Sequence, residues 1–244
     1  MDMPVHNLQK VHLKDNVSGL VNSLRARGIR ATLRIAACTL WCGFIEAIDE
    51  RRFHSATAGD LPLSALDIQS KNAAHAGPYC TPSPFRIIRK TLESVRALQG
   101  GTVSNSTLID FGCGRGRVLL MASEYGFKQA IGVEFSPQLC REAATITEAY
   151  LQARERRSTD ILVVNADAAD YPIPPQANVF YCFAFDGHLL DLVARNIVES
   201  HKSVTRPIWL IYCKALHQEV LLRKGFRSVR ELSWCGFPTV IFTL

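Results

Sequence analysis

Short apolar runs of strand length alternate with helical patterns through the second part of the chain. Continuous apolar runs are typical of strands that are buried on both faces of a parallel sheet. They occur at residues 108–111, 130–135, 161–164, 179–185, 208–213 and 240–244. Helical patterns fill the intervals, at residues 117–125, 137–154, 188–200 and 217–224. This order predicts an α/β fold with a doubly wound, mostly parallel sheet.

The end of the chain predicts the edge of that sheet. Gly225 is placed to end the helix at 217–224, and the sequence FRSVRELSW that follows has the composition of a strand. The turn CGFP then leads into a last strand, TVIFTL. Two strands joined by so short a turn run antiparallel. We therefore expect a seven-stranded, Rossmann-like sheet that ends in an antiparallel C-terminal hairpin.

The first hundred residues have a different pattern and predict a helical N-terminal extension. Residues 20–52 are helical in composition, and SPFRIIRKTLESVRAL predicts a second helix with Ser83 as its N-cap. The most apolar stretch, residues 35–48, is shorter than the roughly 20 residues that a membrane span needs. We predict that it forms a buried helix. The predicted division is an extension at 1–100 and a core domain at 101–244.

The charge of the chain is unevenly distributed. Its 244 residues are 48% hydrophobic, enough to fill a large core, and its formal net charge is +6. Residues 1–100 contain 13 Lys and Arg against 8 Asp and Glu, whereas residues 101–244 contain 15 against 14. The basic N-terminal part could attract nucleic acid, anionic lipid or an acidic protein. Because it lacks dense basic runs with interleaved aromatic residues, a solvated helical face is the favoured interpretation.

The eight cysteines show no C-x-x-C pair and no zinc-binding spacing with histidine, so no metal site is predicted. Several lie in apolar runs, where a thiol behaves as a small hydrophobic group. Reduced, mostly buried cysteines predict an intracellular, cytoplasmic protein. Residues 1–15 are polar and lack the layout of a secretory signal.

Three glycines at alternate positions, Gly112, Gly114 and Gly116, follow a predicted strand and precede a predicted helix. Glycine lets the backbone turn sharply and lets a ligand approach closely, and the helix N-terminus offers unpaired N–H groups. A dinucleotide site would have a further glycine at position 117, which is arginine here. A nucleotide-binding oxidoreductase is therefore disfavoured.

The segment LIDFGCGRGRVLL resembles the first motif of class I S-adenosylmethionine-dependent methyltransferases, acidic-x-G-x-G-x-G. The resemblance implies that the cofactor is S-adenosyl-L-methionine. In that family the glycine loop lies against the methionyl part of the cofactor, and the acidic residue that precedes the loop helps to hold its amino group. Asp110 would be that residue, with Gly112, Cys113, Gly114 and Gly116 forming the loop.

Two further acidic positions extend the resemblance to the ends of the next two strands. Glu134 ends the second strand, in AIGVEFS, and is followed by Phe135. A carboxylate there can accept hydrogen bonds from both ribose hydroxyls. The third strand ends in VVNADAAD, where Asp167 and Ala168 match the family's contact to adenine. Each acid alone could cap a helix or a turn, but the three in order are much more specific.

The likeness continues upstream to about residue 44, in a group of little-characterised bacterial class I methyltransferases. There the motifs are less specific, and they include the segment GPYCTPSPF. By analogy Tyr79 would fold over the cofactor or the substrate entrance, and the N-terminal extension would cap the active site. A tyrosine packed under a loop is an equally open interpretation.

The fourth strand, NVFYCFAFDGHLL, lies where this family has its catalytic motif. Related enzymes often have Asn-Pro-Phe there, and non-SET histone lysine methyltransferases have NNFAF, so Tyr181 and Cys182 replace the asparagines. A thiol is a weak acceptor, which makes amine methylation by that device doubtful. The remaining candidates are Phe183 and Phe185 as pocket walls and Asp186 as a proton acceptor or as a helix N-cap.

These features predict a methyltransferase that moves a methyl group to an unidentified acceptor by direct in-line transfer. A protein or small-molecule acceptor is favoured, and nucleic acid is possible through the basic N-terminal part. Cys182 as a covalent nucleophile is disfavoured because no basic partner lies near it in sequence. The alternative is a methyltransferase-like binding or regulatory protein that has lost catalysis. The absence of the asparagines is the reason for this alternative.

Overall fold

The computed structural model describes residues 16–53, 57–68, 70–72, 75, 79–154, 159–234 and 237–244. Nine strands belong to this described part of the chain. In chain order they are β1 (Leu61–Pro62), β2 (Tyr79–Cys80), β3 (Thr107–Phe111), β4 (Gln129–Glu134), β5 (Asp160–Asn165), β6 (Ala177–Phe183), β7 (Trp209–Cys213), β8 (Arg227–Trp234) and β9 (Phe237–Thr243).

Helices precede the sheet and connect its strands. They are α1 (Asn16–Phe53), α2 (Phe85–Leu98), α3 (Arg117–Tyr125), α4 (Pro137–Ala153), α5 (Gly187–Ser203) and α6 (Gln218–Arg223), with one 3-10 turn at Leu63–Ala65. Their placement between the strands follows the alternation of apolar runs and helical patterns in the sequence.

Seven strands form one sheet in the order β5-β4-β3-β6-β7-β9-β8, while β1 and β2 form a separate short antiparallel pair. Neighbours from β5 to β7 are parallel, and β9 is antiparallel to both β7 and β8. The predicted fold class and C-terminal hairpin are therefore confirmed. The strand order reverses at β3, so a crevice opens at the carboxyl ends of β3 and its neighbours, where ligands bind in sheets of this type.

Apolar side chains fill both faces of the sheet, which is why its parallel strands lack alternation. The cluster on one face includes Phe85 and Leu92 of α2 and Leu119 of α3. The cluster on the other face includes Val193 of α5 and Leu221 of α6. These two packed layers hold the strand ends that form the crevice.

Several predicted boundaries differ from the structure by a few residues, and the structure gives a physical reason for two of them. The N-cap of α2 is Pro84 and not Ser83, because the carboxylate of Glu46 accepts the hydrogen bond from the Phe85 N–H at 3.1 Å. Strand β6 ends at Phe183 and not at residue 185, because Ala184 has a left-handed backbone with φ of 56°.

The helix predicted near the N-terminus is present as α1, but a non-helical Gly28 (φ 76°, ψ 166°) interrupts it. The prediction that residues 35–48 are buried is wrong, since Leu40 is 66% exposed and Phe44 is 58% exposed. The opposite side of the helix, which carries Phe53, packs on the core. Among the described residues, no helix is both long enough and apolar enough to cross a bilayer.

The sequence predicted reduced cysteines, and five of the described cysteines are free thiols: Cys80, Cys113, Cys140, Cys182 and Cys213. The prediction is wrong for Cys42, which is disulfide-bonded. Cys42 lies on α1, away from the buried strands and the glycine loop that hold most of the free thiols.

Candidate functional site

The glycine loop joins β3 to α3 at the carboxyl edge of the sheet. Its N–H groups at Gly112 and Cys113 donate to the carbonyl of Val133 on β4, at 2.8 and 3.2 Å. Gly112, Gly114 and Gly116 have φ of 76°, 52° and 83°. A residue with a side chain is strained at these positive φ values. The alternate glycines are thus required by the turn, and Gly116 is the N-cap of α3.

Side chains from two other parts of the chain lie against this loop. A Cβ at Gly114 would be 3.3 Å from the Sγ of Cys80, and one at Gly112 would be 3.6 Å from the ring of Phe185. Below the loop, a Cβ at Gly132 would be only 2.6 Å from the Sγ of Cys113. Gly132 was not singled out from the sequence, although a glycine inside a strand signals close approach of this kind.

Two buried carboxylates lie beside the loop. Glu134, 2% exposed, accepts hydrogen bonds from the N–H groups of Gly114 and Ser136 at 2.9 and 3.0 Å. Burial raises the pKa of Glu134 in spite of these bonds. Burial, and then the charge of Glu134, raise the pKa of Asp110 well above its usual value.

Among the described residues, no basic side chain forms an ion pair with either of these acids. None of them contributes a basic charge to either pKa shift, and none donates a hydrogen bond to the carboxylate of Asp110. A buried, unpaired carboxylate is unfavourable unless a ligand compensates it. The arrangement therefore favours a ligand that carries positive charge.

Asp167, at the end of β5, connects the sheet to the N-terminal part of the chain. Its Oδ1 accepts from the Ala169 N–H at 2.8 Å, and its Oδ2 accepts from the hydroxyl of Ser70 and from Nδ2 of Asn72, the latter at 3.0 Å. Ala168 and, at the end of β4, Phe135 are partly buried. The predicted contact of Asp167 and Ala168 with adenine stays a prediction.

The two phenylalanines at the end of β6 face different surroundings. The left-handed Ala184 between them turns the chain, so that Phe185 contacts Gly112, while Phe183 packs on Phe237 with ring centroids 5.9 Å apart. Of the two, Phe185 is the one that reaches the glycine loop. Cys182 is fully buried, and burial raises its pKa well above the usual value, which disfavours an ionised nucleophile there.

Asp186 has both features that the sequence left open for it. Its Oδ1 accepts from the Leu189 N–H at 2.8 Å, which makes it the N-cap of α5, and its Oδ2 lies 2.7 Å from Nδ1 of His75. Burial raises the pKa of Asp186, but the bonds from Leu189 and His75 outweigh this effect and lower it overall. The ring of His188 stacks beside His75, with centroids 4.3 Å apart.

Sequence reasoning missed His75, and it placed Tyr79 among the candidates. His75 is 111 positions from Asp186, in a segment rich in turn formers, so no local pattern signals the pair. Tyr79 begins β2, whose backbone pairs with β1, but its side chain lies outside the described part of the structure.

Arg117, the residue that disfavoured a dinucleotide site, links the start of α3 to α1. Its side chain is only 5% exposed and forms ion pairs with Glu46 and Glu50 of α1, the latter at 2.6 Å. Its Nε donates to the hydroxyl of Thr57 at 2.9 Å, and its guanidinium stacks on the ring of Phe85 at 4.3 Å. The residue after the glycine loop thus holds α1 beside the site.

Comparison with known proteins agrees with this architecture. Residues 108–207 match a family described as a methyltransferase domain. An RNA methyltransferase from Salinibacter ruber, solved in complex with S-adenosyl-L-homocysteine, superposes with a TM-score of 0.50 at 15% identity and covers 67% of this chain and 93% of its own. A SAM-dependent methyltransferase from Aquifex aeolicus has a TM-score of 0.46 at 12% identity and covers 66% and 93%. No curated protein matches the chain.

Proposed function

We propose that this protein is a class I S-adenosylmethionine-dependent methyltransferase that transfers a methyl group directly to an acceptor held at the carboxyl end of β6. The match of residues 108–207 to a methyltransferase-domain family supports the proposal. The observation that carries the proposal is the pair of buried acids, Asp110 and Glu134, which have no cationic partner among the described residues. When bound, S-adenosyl-L-methionine supplies a methyl group on a positively charged sulfur, together with an ammonium group. Its charge complements the pair.

Different residues of the crevice are proposed to hold different parts of the cofactor. Asp110 has a carboxylate free to accept from the amino group. Each oxygen of Glu134 accepts one backbone hydrogen bond, which leaves capacity for the ribose hydroxyls. The glycine loop admits a close approach of the cofactor, and Phe135, Asp167 and Ala168 are proposed to contact adenine.

His75 and Asp186 are proposed to take the proton that the acceptor loses. When Nδ1 of His75 carries the hydrogen that bonds to Asp186, the tautomer leaves Nε2 as the acceptor atom. Asp186 is itself fixed by its bond to Leu189, so it orients the ring. The His75 side chain is 37% exposed and can therefore meet a bound molecule. The dyad suits an acceptor that arrives protonated, such as a hydroxyl or an ammonium group.

We also propose that the N-terminal extension caps the active site. Three contacts support this role: Ser70 and Asn72 bind Asp167, His75 binds Asp186, and Cys80 lies on the glycine loop. The cap would position the proton acceptor and exclude water from the crevice.

Binding titration tests the function. We expect the protein to bind S-adenosylmethionine and S-adenosylhomocysteine and not NAD, and to transfer labelled methyl to one fraction of a lysate divided into protein, RNA and small molecules. Binding of NAD alone would overturn the assignment. Binding of both nucleosides with no transfer into any fraction would favour a regulatory protein that has lost catalysis.

Substituting His75 with alanine is expected to lower labelled methyl transfer by about 100-fold or more, since general bases typically contribute 10²–10⁴-fold. Affinity for S-adenosylhomocysteine should change by less than about threefold, because His75 binds Asp186 and not the predicted cofactor residues. His188→Ala is the matched control and should retain most of the transfer. Equal rates in both variants would remove His75 from the mechanism.

A further inference from the structure

The side of α1 that faces away from the core is apolar. From Ile29 to Ile48 its large hydrophobic side chains are between 45% and 66% exposed. We call this surface the outer face of α1, and its apolar members are Ile29, Leu33, Leu40, Trp41, Phe44 and Ile48. Scattered exposed hydrophobic residues are normal on soluble proteins, but a contiguous apolar patch marks an interaction surface.

The spacing of these residues makes the face continuous. At 3.6 residues per turn they fall within an arc of about 120° and extend over about 28 Å of helix. The rings of Trp41 and Phe44 lie 6.2 Å apart. Glu46, Asp49 and Phe53, which contact the core, lie on the opposite side of the helix. The face therefore forms a long convex ridge and not a groove.

The charge of α1 is divided in the same way. All three of its acidic side chains form ion pairs with arginines of α2 and α3: Glu46 and Glu50 bind Arg117, and Asp49 binds Arg86 and Arg89. Between residues 16 and 45 the sequence contains four arginines and no acidic residue. Arg30 and Arg51, at the two ends of the outer face, are exposed.

We propose that the outer face of α1 docks on the surface of an anionic lipid bilayer. A helix with aromatic residues in its apolar stripe and arginines beside it lies in the interface, with the apolar side chains among the acyl chains and the cations at the head groups. A second copy of the chain fits less well. Pairing the outer faces of two copies would bring like charges together. Arg30 of one copy would lie near Arg51 of the other if the helices were antiparallel, and near Arg30 of the other if they were parallel.

Vesicle partitioning tests the proposal independently of the methyltransferase assignment. The full chain is mixed with vesicles of phosphatidylcholine, alone or with phosphatidylglycerol, and the bound fraction is measured by sedimentation. We expect binding to the anionic vesicles at least about tenfold stronger than to neutral ones, with loss as salt is raised. Leu40→Gln with Phe44→Gln should weaken this binding by about tenfold or more, and Arg30→Gln with Arg51→Gln should reduce the preference for anionic lipid.

The matched control is Leu216→Gln with Leu222→Gln, two residues with 58% and 52% exposure elsewhere on the protein. This variant should bind vesicles as the wild type does. Light scattering after size exclusion gives the molar mass and so tests whether a second copy of the chain covers the outer face instead. A dimer that disappears in the Leu40→Gln, Phe44→Gln variant would assign the face to a second copy and overturn the proposal. Absence of vesicle binding, or equal binding to both kinds of vesicle, would also overturn it.

Discussion

Replacing Arg117 with alanine is expected to lower the free energy of unfolding by about 3–5 kcal/mol, the range for breaking a buried ion pair by removing one partner. The guanidinium is 5% exposed and is shared by Glu46, Glu50 and Thr57. Its loss leaves two partly buried carboxylates without their cation. The contact of α1 with the core is the part of the structure that should weaken first.

Denaturant unfolding and protease resistance of α1 measure this effect. Arg115→Ala is the control, since Arg115 lies two positions earlier but is more exposed and pairs mainly with Glu142. A partly exposed pair near the surface is expected to contribute about 0–1 kcal/mol. Adding Glu46→Gln and Glu50→Gln to Arg117→Met should recover part of the loss. If Arg117→Ala lowers the free energy of unfolding no more than Arg115→Ala does, Arg117 does not anchor α1.

The cost of Arg117→Ala should also depend on pH. Burial raises the pKa of Glu46, and the charge of Arg117 opposes this effect. Without Arg117 the pKa of Glu46 rises further, so the variant binds a proton over a pH range in which the wild type has lost it. The destabilisation should therefore grow as pH rises through the Glu46 pKa and shrink in acid.

Replacing Asp110 with asparagine is expected to weaken S-adenosylhomocysteine binding by about 10- to 100-fold, as charge-assisted hydrogen bonds contribute about 1.5–3 kcal/mol. Asparagine has nearly the same shape but lacks the negative charge for the ligand's ammonium group. Isothermal titration measures the change. Asp160→Asn, at the opposite end of the parallel strands, is the control and should bind as the wild type does. Unchanged affinity in Asp110→Asn would place the amino group elsewhere.

The same substitution should stabilise the protein without ligand. Burial, and then Glu134, raise the pKa of Asp110 well above its ordinary value of 3.8. The folded protein then holds a proton that the unfolded chain has lost, so stability falls as pH rises through this window and stays lower above it. Asparagine does not titrate, so the variant should melt at a higher temperature than the wild type at neutral pH. A lower melting temperature would show that the Asp110 charge is already compensated.

A gain in stability together with a loss of binding would have one physical cause. A site that binds a cationic ligand through buried acids carries unfavourable charge while it is empty, and the ligand removes this cost. Proteins often keep destabilising groups of this kind where function requires them.

Much of the core could be predicted from the sequence because its signals are local. Continuous apolar runs identified the parallel strands, although β5 at the edge of the sheet is partly exposed. Alternate glycines after a strand identified a sharp turn. The C-terminal hairpin followed from a short turn between two strands. The burial of Asp110 and Glu134 beside the glycine loop agrees with their predicted place at the strand ends. Errors at Ser83 and at the end of β6 arose where a distant carboxylate or an unusual residue conformation replaced the local preference.

The sequence by itself thus determined the order of elements, the sheet and the edge where its acids meet, since each depends on periodicity within a few residues. Only the tertiary structure decided that His75 meets Asp186, that Arg117 holds α1, and which side of α1 faces outward. These contacts join residues 67 to 111 positions apart. Their partners are selected by how the chain packs, and no local pattern of side chains specifies that choice.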